Sequence, residues 1–317
     1  MSTPNCQPQA GADWPHVHTT IFFSAHEHPT DLQGAEQLIA SADIYFPEGV
    51  GNGSTGSIET LQRIANTNPH PDARDKISAI LAHEASTTHH RALWHIARGL
   101  LGSGAVVASI DLGDRHGDLY DRLIDADTVH IDYTGDFGHA LDGEIKRAAT
   151  IARLQLAREA IMLTKRQEKL AEILDSRPEL RCKPQIEVVQ TLGAVHTSYY
   201  HRLKRGGDDV DRLFSARGSY QYGFESELVR GFMLGCAQPS KELAAKAYLE
   251  GMLYTELHSS YYSDSLISAE VITYLREVVS AFTLKEIEIL YRQEQTREPV
   301  FDSLNAMLMA KGFAPLP

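Results

Sequence analysis

Apolar positions along the chain follow two periods, and their order predicts the fold. His18 to Ala25 carries the short apolar run Ile21-Phe22-Phe23 and ends on polar residues, which predicts a strand. Asp31 to Ala42 sets Leu32, Ala35, Leu38 and Ile39 at helical spacing, and Asp43 to Pro47 (Asp-Ile-Tyr-Phe-Pro) reads as a second strand. Strand, helix, strand in that order is a parallel unit with a right-handed crossover. Ile77 to Leu101 predicts a long helix closed by Gly102-Ser-Gly104, and Ala105 to Ile110 a third strand that runs into Asp111. Val129 to Tyr133 reads as one more short strand.

The clearest helix is predicted over Leu141 to Ser176. Leu141, Ile145, Ala148, Ala152, Leu156, Leu163, Leu170 and Leu174 fall on one stripe at about 100° per residue, with Leu154 on the opposite side. Pro178 closes it, and Pro184 opens a strand, Ile186 to Leu192, that ends at Gly193-Ala-Val-His196. Beyond residue 219 only helical spacing is found: Ser226–Leu234, Lys241–Ser260, Leu266–Gln293 and a last segment near Val300–Lys311. The expected architecture is α/β, a mainly parallel sheet flanked by helices, with a helical C-terminal region. The expected divisions are a Pro-, Gln- and Gly-rich N-terminal arm at 1–16, the α/β domain at 17–218 and the helical region at 219–317.

Composition narrows the function classes. With 30 Lys and Arg against 42 Asp and Glu, the net charge of -12 leaves no basic face for nucleic acid, and Lys165-Arg166 and Lys204-Arg205 are short. Cys6, Cys182 and Cys236 are odd in number and share no spacing, which argues against a disulfide framework and for a reducing compartment. Met1 to Pro15 lacks the basic and apolar regions of a signal peptide, and no window approaches the roughly 20 apolar residues of a membrane span. The expectation is a cytoplasmic protein.

Ligand sites of parallel α/β sheets lie outside the carboxyl ends of the strands. The first predicted strand runs into His26-Glu27-His28, the second into Glu48, the third into Asp111 and the last into His196. Two imidazoles and a carboxylate (His26, His196, Glu48) suit a divalent metal, and equally a general base with its orienting partner. Taken singly, each is also an ordinary polar loop start. Glu159 sits on the apolar stripe of the long helix, where a carboxylate requires a partner. Arg166, on the same edge, is the bland candidate for one; Arg158 is adjacent but points about 100° away.

Other patterns carry less. In His83-Glu84-Ala-Ser-Thr-Thr-His89-His90 the residue four after His83 is Thr87, so the HExxH geometry fails and a histidine-rich helix surface remains. Gly51, Gly53 and Gly56 satisfy GxGxxG, but too far past the strand for a dinucleotide site. Tyr199, Tyr200, Tyr220, Tyr222, Tyr261 and Tyr262 gather late in the chain, where packing explains them and haem ligation is an alternative.

With these pieces in order, the chain resembles the TraB/PrgY–Tiki group, in the superfamily that also holds ChaN-like haem-binding proteins and erythromycin esterases. Ser24-Ala-His26, Ala42 to Glu48, Ala157-Arg158-Glu159-Ala-Ile-Met162 and Val188 to His196 carry the likeness, which covers roughly residues 18–205. Members carry two GxxH motifs. The second is intact as Gly193 to His196, and the first has Phe23 in place of its glycine. The resemblance implies His26, Glu48, Glu159 and His196 as the functional set, with Arg158 in support. It implies hydrolysis of a peptide or ester bond, with a divalent metal on His26, Glu48 and His196 in one version. The alternatives are a non-enzymatic binder of haem or a peptide, and an interaction protein whose C-terminal helices form a homo-oligomer.

Overall fold

The computed structural model describes residues 14–24, 29–48, 55–68, 75, 87–113, 116–128, 135–215, 223–235, 240–261, 269–295 and 300–315. Its backbone clusters into two compact units, one of residues 1–120 and 156–217, the other of 121–155 and 218–317. The expected division near 218 coincides with the third crossing of the chain between the units, whereas the segment 121–155 groups with the C-terminal helices.

In the first unit, strands β1 (His16–Ser24), β2 (Ile44–Phe46), β3 (Val106–Val107), β4 (Gln185–Gly193) and β5 (Asp209–Phe214) form one sheet in the order β3-β2-β4-β1-β5. Every pairing is parallel. The fold is α/β, as the strand–helix alternation requires. β5 was not evident in the sequence. Asp209-Val-Asp-Arg-Leu-Phe214 has one fully buried residue, Val210, because it is an edge strand. The strand expected at Val129 to Tyr133 lies outside the described residues, as do His26 to His28, the loop 49–54 and residues 83–86.

Alternating strand residues feed two cores. Phe22, Tyr45 and Val189 pack with α1 (Glu36–Ser41), α2 (Thr55–Ala65) and α3 (Thr87–Leu100) on one face. Ile21, Phe23, Ile44, Phe46, Val188 and Leu192 pack on the other against the last part of α5 (Phe137–Ser176), with α6 (Pro178–Arg181) and α7 (Thr197–Gly206). Because a strand shows successive side chains to opposite faces, this double coverage is why the strands read as continuous apolar runs. The helix α4 (Gly117–Thr128) joins the two units in sequence.

The long helix runs 40 residues. Leu154, expected off its stripe, is buried along with Ile151 and Met162. The halves of α5 belong to different units, so each half buries its own face and one stripe cannot describe both. The second unit adds α8 (Phe224–Met233), α9 (Lys241–Tyr261), α10 (Ala269–Ser280), α11 (Leu284–Gln295) and α12 (Val300–Ala310). The single helix expected over Leu266–Gln293 is two. Thr283 and Glu286 form a capping box, the Thr283 amide donating to Glu286 at 2.8 Å and the Glu286 amide to the Thr283 hydroxyl at 3.4 Å, and this starts a new helix.

No described helix is long and apolar enough to cross a membrane. Cys182 is disulfide-bonded, and Cys6 and Cys236 lie outside the described residues. Odd number and irregular spacing exclude a framework of several bridges, not one pairing.

Gly99 on α3 is a packing constraint. A Cβ there would stand 2.7 Å from the Glu36 carbonyl oxygen and 2.9 Å from Ile39 Cβ. Backbone cannot yield as a flexible side chain does, so Gly99→Ala is expected to destabilise the chain by about 1–3 kcal/mol in chemical denaturation.

Candidate functional site

Three parallel strands deliver polar residues to one edge of the sheet. β2 is followed by Pro47 and Glu48, β3 by the stretch that ends in Asp111, and β4 by the single 3-10 turn Ala194–His196, which leads into α7. The α5 helix brings Arg158 and Glu159 to the same place. Glu48, Arg158, Glu159 and His196 are therefore together, as expected; His26 lies outside the described residues.

His196 is fully buried, and each ring nitrogen meets a carboxylate. Nδ1 is 3.2 Å from Glu159 Oε1, and Nε2 is 3.2 Å from Glu48 Oε1. The Ser198 hydroxyl donates to the second oxygen of Glu159 at 2.5 Å, and Arg202 stands 4.0 Å from it. Burial opposes the imidazolium, but the hydrogen bonds to Glu159 and Glu48 outweigh burial and the nearby Arg158 cation, so the His196 pKa is pushed up to about 9. At neutral pH the ring is charged.

Arg158 is the hub. Nε donates to Asp111 Oδ1 at 2.8 Å and Nη2 to Asp111 Oδ2, a bidentate clamp. Nη2 also reaches Glu48 Oε1 at 3.3 Å, and Nη1 lies 3.2 Å from His196 Nε2. Burial works against this cation, yet Asp111 and Glu48 hold its pKa above the ordinary arginine value. The Gly193 amide donates to Glu48 Oε2, and the Lys165 amine to the Asp111 carbonyl. The helical angle between residues 158 and 159 suggested that Arg158 points away from Glu159. It does, and that divergence lets one helix turn serve Asp111 and Glu48 with one side chain and His196 with the next. Arg166, the bland partner for Glu159, instead binds Asp208 at 2.9 Å and Thr19 at 2.8 Å.

Asp111 was recognisable only as a strand end, and Ser198 and Lys165 not at all. Asp111 is buried, and its role depends on a residue 47 positions away, which no local pattern encodes. Comparison with known protein families, with curated proteins and with solved structures finds no match to this chain. The reading of the site rests on its own geometry.

Among the described residues no group of three or more His, Cys, Asp or Glu side chains is arranged to hold a metal ion. The two expected ligands that are described, Glu48 and His196, are turned on each other, and the Arg158 guanidinium bonds to both. The third expected ligand, His26, lies outside the described residues. Tyr199 is fully buried, and the Tyr200 ring lies under the Arg212 guanidinium at 4.9 Å.

Truncating Glu159 to Ala leaves the buried His196 cation short of its main counter-charge, and a loss of about 3–5 kcal/mol in unfolding free energy is expected. The pH dependence has a definite sign. The folded pKa of His196 lies above its ordinary 6.5, so its stabilisation is complete below pH 6.5 and is lost as pH rises through about 9. Urea titrations between pH 6 and 10 should show this decline, and His196→Gln should remove it.

Proposed function

We propose that this chain is a hydrolase of the TraB/Tiki-like kind, acting on a peptide or ester bond of a small-molecule or peptide substrate through a metal-free acid–base site. The observation that carries the proposal is the position of His196 Nε2, at 3.2 Å from both Glu48 Oε1 and Arg158 Nη1. Protonated, Nε2 donates to Glu48; deprotonated, it accepts from Arg158. Both states are bonded without rearrangement, which is what a proton-transfer group requires.

Burial favours one division of roles. His196 cannot touch a substrate, whereas the side chains of Glu48 and Arg158 keep 12% and 15% exposure. Glu48 is the general base: it takes a proton from water as the water oxygen bonds to the carbonyl carbon. Arg158, held by Asp111, faces the negative charge that develops on the carbonyl oxygen. As the bond to the leaving group breaks, Glu48 returns the proton to that group, and His196 stabilises Glu48 in each state.

A panel of short peptides and nitrophenyl esters, assayed with protein purified without a polyhistidine tag, tests this. Turnover is expected in the presence of a chelator, with Glu48→Gln lowering kcat/KM about 10²–10⁴-fold while circular dichroism is unchanged. No turnover across the panel, or turnover equal in Glu48→Gln, would refute the proposal; dependence on an added metal would refute its metal-free form.

A further inference from the structure

The second unit holds a cavity of about 590 Å³ that the hydrolase reading does not use. It lies at the first turns of α5 and α9 and along one face of α11, all within that unit. Cavities of roughly 300–1,000 Å³ enclose a small ligand where a mostly apolar lining carries a few polar groups.

The inner wall is apolar and held in place. Phe137, Leu141 and Tyr291 line it, and each is less than a tenth exposed. The Phe137 and Tyr291 rings stand 5.2 Å apart at 49°, and Tyr248 meets Tyr291 edge-on at 5.4 Å. The Tyr291 hydroxyl donates to the Gly135 carbonyl at 2.9 Å, so its polar end is satisfied and its ring is fixed. Leu284, the first residue of α11, is 37% exposed and stands at the lip.

The mouth is charged, and its acids are more fully engaged than its bases. The Asp136 carboxylate caps α5, accepting from the His139 amide at 2.9 Å, and Glu288 accepts from Arg292 Nη2 at 2.5 Å. The Lys241 amine stands 3.6 Å from Asp142, beyond good hydrogen-bond distance, and its side chain is 58% exposed. Arg292 meets Glu288 through one guanidinium nitrogen and is 74% exposed. Glu288 offsets part of the Arg292 charge, which leaves Lys241 as the main anchor. An apolar, aromatic wall beneath a cation with donors to spare selects a ligand with a flat apolar body and an anionic end.

We propose that this cavity binds a small aromatic carboxylate, its ring against Phe137, Leu141 and Tyr291 and its carboxylate on Lys241, with Arg292 beside it. The cavity shares no residue with the Glu48, Arg158 and His196 site, and the proposal does not rest on the hydrolase reading.

Calorimetric titration of the full chain with naphthoate tests this. Naphthoate has no bond that a hydrolase can cleave, so the result is independent of turnover. One molecule per chain is expected to bind, with the methyl NMR signals of Leu141 and Leu284 shifting as it does. Lys241→Gln should weaken binding about tenfold, because a hydrogen bond from a charged donor is lost. Leu284→Trp, whose indole fills the mouth, should abolish it. Both positions are on the surface, and circular dichroism checks that each variant keeps its fold. Neutral naphthylmethanol should bind the parent more weakly than naphthoate. Absence of heat and of methyl shifts at millimolar naphthoate overturns the proposal, as does parent-like affinity in folded Lys241→Gln and Leu284→Trp. Equal affinity for naphthylmethanol overturns the choice of an anion.

Discussion

The pairing of buried charge on one helix with the ends of three strands is the constraint on which the first unit depends. Arg158, Glu159 and Arg166 lie along little more than two turns of α5, and each is mostly or fully buried. A lone charge in such surroundings is very unfavourable, so the helix must sit where Asp111, Glu48, His196 and Asp208 answer it. Rotating α5 by one residue, about 100°, would unpair all of them at once. Apolar packing of Met162, Leu170 and Leu174 brings helix and sheet together, but many rotations bury apolar surface nearly as well. The charges select one.

That selection explains why the site is so rigidly described from within. Each polar group has its direction fixed by a second group: Glu159 by Ser198, Arg158 by Asp111, Glu48 by the Gly193 amide. Directional support of this kind holds a reacting group in place better than packing alone. The backbone amide on Glu48 also ties the β4 turn to the β2 loop. The turn that delivers His196 is thus set by the residue His196 serves.

Most of the sheet was readable from sequence because each inner strand is covered on both faces and so shows as an apolar run: Ile21 to Phe23, Ile44 to Phe46, Val188 and Val189. The edge strand β5 was not, since one buried residue in six leaves no period to read. The break between α10 and α11 was written in Thr283 and Glu286, but an uninterrupted apolar spacing masked it. At the site, Glu159 stood out as a carboxylate on an apolar stripe, and Glu48, Asp111 and His196 as polar residues at strand ends. That Asp111 answers Arg158, and that Lys165 and Ser198 join the site, was not legible, because a partner's identity depends on which strands become neighbours. The order β3-β2-β4-β1-β5 puts β4 beside β2, and only that adjacency brings the Gly193 turn to Glu48.

A buried ion network can be structural, and the distinction here turns on energetics and exposure. Desolvation offsets most of the Coulomb attraction in a buried pair, so apolar residues of equal volume would serve stability as well or better. Stability alone does not account for two cations and three carboxylates in one core. A purely structural network also has no need for a histidine that can be bonded in both protonation states. It has no need to leave its outermost members, Glu48 and Arg158, partly open to solvent while His196 and Glu159 behind them are sealed. An open acid–cation pair backed by a sealed imidazole supports the proposed acid–base reading, and it differs from the Arg166–Asp208–Thr19 contacts, in which the buried member is the cation itself.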